Sequence, residues 1–571
     1  MTSKNYDLKN NIAEGVSIRD DFSYVNVKWA EIGAIGDGKA NDTPAIQKAL
    51  DLAEAFGGVE LFIPAGVYRI KSYLIVHANT KIRMSRNTVL LRSHPGGIFK
   101  NGYKGDMYTD YNGNGNIHIE GGTLDGNVLE FNQGFNLTGW ARGTNLTFRD
   151  ITFKDVITNH CMDINACKDV LIENCRFLGY KDGTVDQSRN YPEAIQISNH
   201  TQAGYSDFGI WDGTSCQNII VRGCYFGNSG TAGMSAYATG IGNHGAVHDL
   251  YNQNIKITDC TFEGMTYAGI RPFKFKDLIV RGNLFLNCQR GIVCSNPNGE
   301  GESSKDGKGN QTNLPQSGTN YIFTDNIFRG TKEEHLYIVG WEKDGVVAKV
   351  DTITVSNNQF ESQSNAAIVN SKSSVYLSFV KNLKIDNNDF KKTYRAIYAA
   401  YVSDFSFTNN KVEDTTVEAL FVNEPDDRYK NKGFTAKLRV SNNTIKRCGR
   451  TAIMMQYTDV FNIDYNLIEH ACLEADNVRS AIVAGSGSKN GTIRGNKIVK
   501  ATNDNQNKHG IEVTPTCQNI QVFDNNAEGK TARLVVSPIG GFSGFYGYDT
   551  KGGMRRVTID VNGNLVISDV L

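Results

Sequence analysis

The sequence has little proline, no excess of charge of either sign and no long hydrophobic run. Only 10 of its 571 residues are proline, and 60 Lys and Arg offset 60 Asp and Glu. A neutral chain lacks the basic face that nucleic-acid binding requires, so we expect no nucleic-acid partner. No apolar run reaches the roughly 18 residues of a membrane helix, and no signal-peptide pattern opens the chain. Neither membrane insertion nor export by the general secretory route is predicted.

The 11 cysteines are odd in number and contain no Cys-x-x-Cys pair. This usage argues against a zinc-binding module and against a small disulfide scaffold. Several of the cysteines lie in or beside a repeated motif, where a thiol acts as a small buried hydrophobe. We therefore expect a structural role for them.

The repeated motif is an alternating strand, a two-residue corner and a large apolar residue. The corner residue two positions before the apolar one is Asn or Cys in twelve copies. Asn tolerates left-handed backbone, and amides stacked about 4.8 Å apart can bond one another. The corner residues are Cys175, Cys224, Cys260, Asn283, Asn326, Asn358, Asn388, Asn410, Asn443, Asn466, Asn496 and Asn525.

The tightest spacing between copies is 22–24 residues, which is typical of one coil of a parallel β-solenoid. A leucine-rich repeat is the alternative, but its Leu-x-x-Leu-x-Leu pattern is missing. The sequence therefore predicts an all-β chain folded as a right-handed parallel β-helix.

Changes in pattern divide the chain into four predicted parts. Residues 1–25 are polar and unpatterned and are expected to form an N-terminal arm. Residues 26–66 form a cap with a helix, and residues 67–529 form the β-helix. Residues 530–571 form a small C-terminal β element for capping or assembly, with a hairpin turning at Asn562-Gly563.

The predicted cap contains Gly36-Asp-Gly, Asp42-Thr, Ala45-Ile-Gln and Pro64-x-Gly-x-Tyr. Pro44 suits a helix start and Gly57-Gly58 a helix end. An apolar stripe at helical spacing comprises Ala45, Ile46, Ala49, Leu50, Ala53 and Phe56. This block resembles the N-terminal signature of the pectate-lyase-like superfamily. The resemblance implies the pectin-lyase-like solenoid but not the reaction, because lyases, hydrolases, epimerases and viral spikes share it.

Three coils carry insertions, near residues 178–217, 227–253 and 286–320. Insertions in a solenoid become loops on one side, often the binding side. The third is rich in Gly, Ser, Lys and Asn and is typical of a mobile flap or of simple disorder. The first two are richer in reactive side chains.

A second recurring strand in each coil has one outward residue between two inward ones. In the early coils this outward column is polar, and rungs about 4.8 Å apart would make a groove roughly 15 Å long. Asp163, Gln196, Ser235 and Arg271 form the predicted column. Substrate-binding candidates in and beside it are His160, Gln196, Ser198, Ser235, Tyr237, Tyr267, Phe273 and Lys274.

A Gly-rich stretch from Gly240 to Asp249 carries two histidines inside the second insertion. Glycine lets a loop approach a ligand, and a His-Asp neighbour suits proton transfer near neutral pH. The catalytic candidates are His244, His248, Asp249, Glu193, Asp163 and Arg271. The loop acids Asp182, Asp186 and Asp212 are the candidates for a divalent cation such as calcium.

A closer resemblance follows from Asn190–Ile197, Gly223–Ser229, Gly240–Asp249 and Tyr267–Lys274. These segments are similar to the central region of tail-spike and pre-neck appendage proteins from bacteriophages of Gram-positive hosts. The resemblance implies a depolymerase that binds and degrades a host cell-envelope glycopolymer. It also implies a place in the virion, contacts with phage tail or neck proteins, action at the host surface and a homotrimer.

Three reactions and one binding role fit these residues. Hydrolysis of a wall teichoic acid backbone would use the histidines for proton transfer and Arg271 on the phosphoryl oxygens. Glycoside hydrolysis of a capsular polysaccharide would use Glu193 with Asp163 or Asp249. Elimination at a uronate would use Arg271 and calcium. A non-catalytic adhesin would only grip its receptor, and we favour the first of the four.

Overall fold

The computed structural model describes residues 24–362, 372–423, 435–536, 545–548, 554–559 and 565–569. It has two compact units. Unit 1 contains the described residues up to 289 together with residues 297–318, and unit 2 contains residues 290–296 with those from 319 onward. No helix in the described ranges combines the length and the hydropathy needed to cross a membrane.

Unit 1 opens with the predicted cap helix, α1 (Thr43–Phe56). It ends at Gly57, whose φ of 78° is the left-handed value that glycine adopts without strain. The helix buries its apolar stripe against the strands Val59–Ile63 and Leu74–Ile75. It therefore covers the start of the first coil. Phe56, predicted to complete the stripe, is instead 52% exposed at the end of the helix.

The remainder of unit 1 is three columns of parallel strands, one on each side of a β-helix. The groove sheet consists of Leu74–Ile75, Phe99–Lys100, Thr138–Ala141, Met162–Asn165, Glu193–Ser198, Thr239–Gly242 and Ala268–Arg271. The second sheet consists of Val25–Asn26, Val59–Ile63, Thr80–Met84, Ile117–Glu120, Thr144–Arg149, Lys168–Glu173, Gln217–Arg222, Asn252–Thr258 and Phe275–Arg281. The third sheet consists of Asp37–Asn41, Gly66–Ile70, Thr88–Arg92, Thr123–Asp125, Thr152–Ile157, Arg176–Lys181, Tyr225–Gly227, Thr261–Glu263 and Leu284–Leu286.

The core of unit 1 is ordered rung by rung. On the third sheet, rings stacked 4.8 to 5.0 Å apart belong to Phe153, Phe177, Phe226, Phe262 and Phe285. All eleven cysteines of the chain are buried and unpaired, as expected for structural thiols. The predicted apolar column thus becomes a continuous aromatic file.

Unit 2 repeats the same three columns. Its groove-type sheet consists of Ile292–Cys294, Leu336–Val339, Ser373–Asp386, Arg395–Thr408, Leu420–Asn423, Ile453–Gln456, Ile482–Gly485, His509–Val513 and Ala532–Val536. Its second sheet shares the two 14-residue strands and adds Thr319–Thr324, Val350–Ser356, Thr435–Ser441, Thr458–Asp464, Lys489–Arg494, Gln518–Phe523 and Phe545–Tyr548. Its third sheet consists of Ile327–Thr331, Gln359–Ser362, Asp389–Lys391, Lys411–Thr415, Thr444–Cys448, Leu467–Glu469, Lys497–Val499 and Asn526–Ala527.

The predicted asparagine ladder is present in unit 2. Each amide Nδ2 donates to the Oδ1 of the next asparagine at 2.9 to 3.1 Å. The file runs through Asn326, Asn358, Asn388, Asn410, Asn443, Asn466, Asn496 and Asn525. The right-handed parallel β-helix is therefore confirmed.

Five smaller elements complete the described structure. A short 3₁₀ turn spans Glu302–Ser304, and Trp341–Lys343 pairs antiparallel with Val346–Ala348. The predicted C-terminal hairpin is present as Met554–Ile559 antiparallel to Leu565–Asp569. Its predicted turn at Asn562-Gly563 and most of the predicted arm lie outside the described residues.

The third insertion differs from its prediction as a mobile flap. It is folded onto the loop that carries the two histidines. The His248 N–H donates to the Lys305 carbonyl at 2.7 Å, and Gln316 bonds Asp249. Backbone and side-chain bonds to another loop, which local composition does not reveal, account for this order.

Candidate active site

Four strands of the groove sheet carry the candidate site, and their register fixes which side chains are neighbours. Asp163 lies opposite Gln196, Gln196 opposite Gly242, and Gly242 opposite Arg271. The predicted column is thus correct at three of its four rungs. The prediction for Ser235 was wrong. Gly242 occupies the rung at which Ser235 was expected, and Ser235 forms a β-bridge with Tyr180 instead.

The centre of the site is the Glu193 carboxylate, which two histidines and an arginine surround. His244 Nδ1 lies 2.9 Å from Glu193 Oε2, and His160 Nδ1 lies 3.9 Å from the same oxygen. Arg271 Nη1 lies 3.9 Å from Oε1. The imidazole rings of His160 and His244 stack at 5.8 Å. Glu193 is fully buried, whereas the His244 side chain is 24% exposed.

The groups around Glu193 lower the pKa of its carboxyl group. Burial alone would raise the pKa, but the close interaction and hydrogen bond with His244, together with the nearby Arg271 cation, hold it below its ordinary value. A carboxylate that stays ionised can only accept, so His244 Nδ1 carries the proton of their hydrogen bond. His244 Nε2 is then the nitrogen left to exchange a proton with a ligand.

His160 supports Glu193 from inside. Its Nδ1 lies 2.6 Å from the Glu193 carbonyl oxygen and donates to it. Burial lowers the pKa of His160 to about 4, although Glu193 acts in the opposite direction. A neutral, buried His160 positions the strand and is inaccessible to a substrate. It was predicted to bind substrate, and the structure gives it this supporting place instead.

Asp163 is a second buried carboxyl group on the preceding rung. Its oxygens accept from Asn165 Nδ2 at 2.7 Å, Gln196 Nε2 at 3.1 Å and Asn136 Nδ2 at 2.8 Å. Burial raises the pKa of Asp163 to about 7, despite the hydrogen bonds from Asn165 and Gln196. Asp163 therefore changes protonation near neutral pH, which is a mark of functional sites.

Three aromatic rings surround the Arg271 guanidinium and shield it from solvent. Its guanidinium carbon lies 5.2 Å from the ring of Tyr191, 5.4 Å from Tyr267 and 5.9 Å from Phe273. These rings hold the cation by cation–π attraction and limit its rotamers. Tyr267 and Phe273, predicted to bind substrate, thus contact Arg271.

An open cleft of about 760 Å³ runs beside His244. Gln196 and Ser198 line it on the sheet, and Lys305 lines it on the third insertion. Trp211, which the sequence did not single out, also lines the cleft and is 38% exposed. Polar groups with one exposed indole suit a sugar or polyol polymer, because CH faces pack on indole and hydroxyls need hydrogen bonds.

Several predicted site residues have other roles. His248 pairs with exposed Asp249 at 3.2 Å and does not line the cleft. The buried Lys274 amine donates to Val247 O and Gln316 Oε1, which joins the two loops. Tyr237 was predicted to meet substrate but is buried, with its hydroxyl donating to Asn159 O at 3.1 Å.

The predicted calcium candidates do not form one cluster in the described ranges. Asp182 caps Thr184, exposed Asp186 accepts from Ser188, and Asp212 pairs with buried Arg142 at 2.7 Å. Within the described residues, one group has donor atoms close enough to share a metal ion, all within 4.8 Å, namely His160, Glu193 and His244. Two imidazoles do not suit calcium, which prefers oxygen ligands.

Two family models match parts of the chain. Residues 24–293 match the model described as rhamnogalacturonase A/epimerase, pectate lyase-like. Residues 314–472 and 380–562 match the right-handed beta helix region. They confirm the predicted resemblance to the pectate-lyase-like superfamily, which the first model covers over just under half of the chain.

Particular relatives come from bacteria and phages. Plasmin and fibronectin-binding protein A of Streptococcus pneumoniae is 28% identical over 391 residues, covering 64% of this chain and 54% of the relative. The preneck appendage protein of Bacillus phage PZA is 25% identical over 277 residues, covering 42% of this chain and 32% of the relative. The pre-neck appendage protein of Bacillus phage B103 is 30% identical over 219 residues, covering 37% and 24%.

These matches confirm the predicted resemblance to phage appendage proteins, although the chain spans only about half or less of each relative. Among solved structures, the Streptococcus pneumoniae surface protein and adhesin PfbA superposes with a TM-score of 0.55 at 23% identity. That match covers 78% of this chain and 100% of the other. At this identity the superposition supports the fold.

Proposed function

We propose that this protein binds and cleaves an anionic glycopolymer of the bacterial cell envelope, by hydrolysis of the polyol-phosphate backbone of wall teichoic acid. The observation that carries the proposal is the pairing of cleft-lining His244 with the buried Glu193 carboxylate, whose other oxygen lies 3.9 Å from Arg271 Nη1. An imidazole with one nitrogen free and a neighbouring cation suit proton transfer at an anionic centre.

The proposed step uses three side chains. His244 Nε2 takes a proton from a water molecule as the water oxygen bonds to phosphorus. Glu193 stabilises the imidazolium that forms, and Arg271 neutralises the phosphoryl oxygens. The bond from phosphorus to the polyol oxygen then breaks, and His244 returns the proton to that leaving oxygen. His248 pairs with Asp249 rather than with Glu193, so these two residues take no part.

Glycoside hydrolysis has less support from the geometry. It needs two carboxyl groups that face the scissile bond from opposite sides. Glu193 is fully buried and committed to His244, and Asp163 is buried beneath three amide donors. Neither presents an oxygen to the cleft as the mechanism requires.

A receptor-binding role without catalysis is the second candidate. It is favoured by the 28% identity with a streptococcal protein named for binding plasmin and fibronectin. Under this alternative, the cleft and exposed Trp211 would grip a surface ligand, and the His244–Glu193 pair would be structural.

The two phage relatives support a place for the protein in a virion appendage that acts at the host surface. Contacts with tail or neck proteins belong to the same proposal. A homotrimer stays a prediction that rests on the resemblance.

The test is to incubate the protein with purified wall teichoic acid, a capsular polysaccharide and a polyuronate, with heat-denatured protein as control. Mass analysis distinguishes released polyol phosphate, new reducing ends and unsaturated products. We expect polyol phosphate from the first polymer only. Reducing ends or unsaturated ends would replace phosphodiester hydrolysis with the glycosidase or lyase mechanism, and retention without products would favour the adhesin.

A further inference from the structure

A second cavity lies along the groove sheet beyond Asp163. We call it the distal cavity; its volume is about 370 Å³. The cleft is lined by the Gln196 rung, whereas the distal cavity is lined by the rungs of Lys100, Gly139 and Asp163. Gly204 lines both spaces. A polymer that fills the cleft can therefore continue along the sheet into the distal cavity.

The floor of the distal cavity is set by the register of the sheet. Lys100 lies opposite Gly139, and Gly139 lies opposite Asp163. Gly139 has no side chain to project outward, and a Cβ there would lie only 2.7 Å from the Tyr205 hydroxyl oxygen. This glycine therefore lets Tyr205 reach the sheet between a cation and a carboxyl group.

Tyr205 is held firmly in this place. Its ring meets Phe208 edge-on at 5.0 Å, and its carbonyl accepts from Trp211 Nε1 at 2.8 Å. Its hydroxyl oxygen is buried and has no hydrogen-bond partner in the described part of the chain. Burial raises the pKa of Tyr205 well above its ordinary value, so the hydroxyl remains a donor. An unpaired buried donor costs free energy until a ligand group accepts from it.

The charge around the cavity indicates which ligand it suits. Lys100 pairs with Asp207, and its amine lies 3.7 Å from the centre of the Tyr73 ring. The cation is therefore largely compensated, and an isolated anion gains little there. Asn136 and Asn159 add amide groups to the lining. The lining of the distal cavity thus combines hydroxyl and amide groups, a compensated ion pair and aromatic rings. Such a lining suits a ligand that carries several hydroxyl groups.

We propose that the distal cavity is a binding subsite for a sugar or polyol unit of the same polymer, located several units from the bond that is cleaved at His244. A hydroxyl group of that unit accepts from Tyr205, and its neighbouring hydroxyls meet Asp207 and Lys100. The inference rests on the proposed function, since it takes the cleaved polymer as its ligand. It adds a dependence on chain length, because only a long chain reaches both spaces.

The test compares long wall teichoic acid with its two-unit fragment. Tyr205→Phe removes the hydroxyl and keeps the ring against Phe208. Tyr225→Phe, a hydroxyl on the third sheet that bonds Glu263 at 2.6 Å, is the matched control. Initial rates and retention on immobilised polymer are measured for both substrates, and thermal unfolding verifies the fold.

We expect Tyr205→Phe to raise KM for the long polymer about five- to tenfold, with the two-unit fragment and kcat unchanged. Tyr225→Phe should leave both substrates unchanged. Lys100→Gln provides a second variant with the same expected pattern. Equal effects on both substrates, or none on the long polymer, would overturn the subsite while the proposed function stands. A wild-type protein that neither retains nor cleaves teichoic acid would instead refute the proposed function.

Discussion

The outward column of the groove sheet differs between the two units. In unit 1 it carries Asp163, Gln196 and Arg271, with polar contacts across the rungs. In unit 2 most of the equivalent column is aromatic and apolar. By register its members are Val293, Tyr337, Tyr376, Tyr398, Phe421, Met454 and Val483, and Glu512 occupies the next rung.

The unit 2 column shows how the same backbone packs when most of its outward residues are aromatic. The rings of Tyr337, Tyr376 and Tyr398 stack 5.0 to 5.1 Å apart, so their faces cover one another. Such stacking stabilises a solenoid. In unit 1 the same column holds the buried carboxyl group of Asp163, and burying an ionisable group costs stability unless it is paired. A buried carboxyl group with a raised pKa makes this part of the unit 1 column the stronger candidate for chemistry.

The largest effect is expected from His244→Ala, which removes the proposed proton carrier of unit 1. Turnover should fall by about 10²- to 10⁴-fold. Retention on the polymer should persist, because the cleft walls remain. The rate of polyol-phosphate release and a pull-down on immobilised polymer measure the two quantities.

The matched change in unit 2 is His509→Ala. His509 is buried and contacts the Ser480 hydroxyl at 3.1 Å. It should lower stability and leave turnover per folded molecule unchanged. An equal loss of turnover in both variants would mean that the contrast between the columns is not catalytic.

The sequence predicted the columns of this fold because their signals are local. Strand alternation and the Asn corner recur every coil, so Asp163, Gln196 and Arg271 could be aligned before any coordinates. The alignment of the coils failed inside the second insertion. The sequence around Ser235 has a strand-like pattern, but the groove-sheet strand of this coil is Thr239–Gly242.

The pairing of His244 with Glu193 could not be predicted from sequence. It joins residues 51 positions apart through a loop whose path depends on Lys274 and Gln316. Trp211 was missed for a similar reason, since only the fold of the first insertion turns it toward the cleft. The Gly-rich composition around His244 was the available signal, and it pointed equally to His248.

One carboxyl group in each unit should contribute to the pH dependence of stability, and the two contributions should have opposite signs. The pKa of Asp163 is about 7 in the folded chain, against an ordinary value of 3.8. The folded state therefore binds more protons between these values, and stability falls as pH rises from about 4 to about 7. Asp163→Asn should remove that loss, which amounts to at most about 4 kcal/mol. Urea unfolding of both proteins at pH 4 and pH 8 measures the difference.

Asp351 in unit 2 is the control with the opposite sign. Burial would raise the pKa of Asp351, but hydrogen bonds from Asn382 and Lys381 hold it below its ordinary value. Its contribution is present above the unfolded pKa and lost in acid. Relative to Asp351→Asn, the wild-type protein should therefore gain stability as pH rises. The same slope for both variants would contradict the assignment of Asp163.

A smaller effect is expected from breaking the ladder of unit 2 with Asn388→Leu. Asn388 Nδ2 donates to Val355 O and Asn410 Oδ1, each at 3.0 Å. Its Oδ1 accepts from Asn358 N at 2.9 Å. Leucine leaves these buried groups unpaired, at a cost of about 2–4 kcal/mol in the free energy of unfolding. Turnover of the folded protein should not change.

The corresponding change in unit 1, Cys260→Asn, should have the smallest effect. Cys260 Sγ already accepts from Cys224 N at 3.4 Å and contacts Thr258 O at 3.3 Å. An amide of similar volume can make the same contacts, as Asn283 does one coil later with Arg281 O at 3.1 Å. The free energy of unfolding should stay within about 1 kcal/mol of the wild-type value. A loss as large as that of Asn388→Leu would mean that the thiol file of unit 1 is not interchangeable with an amide ladder.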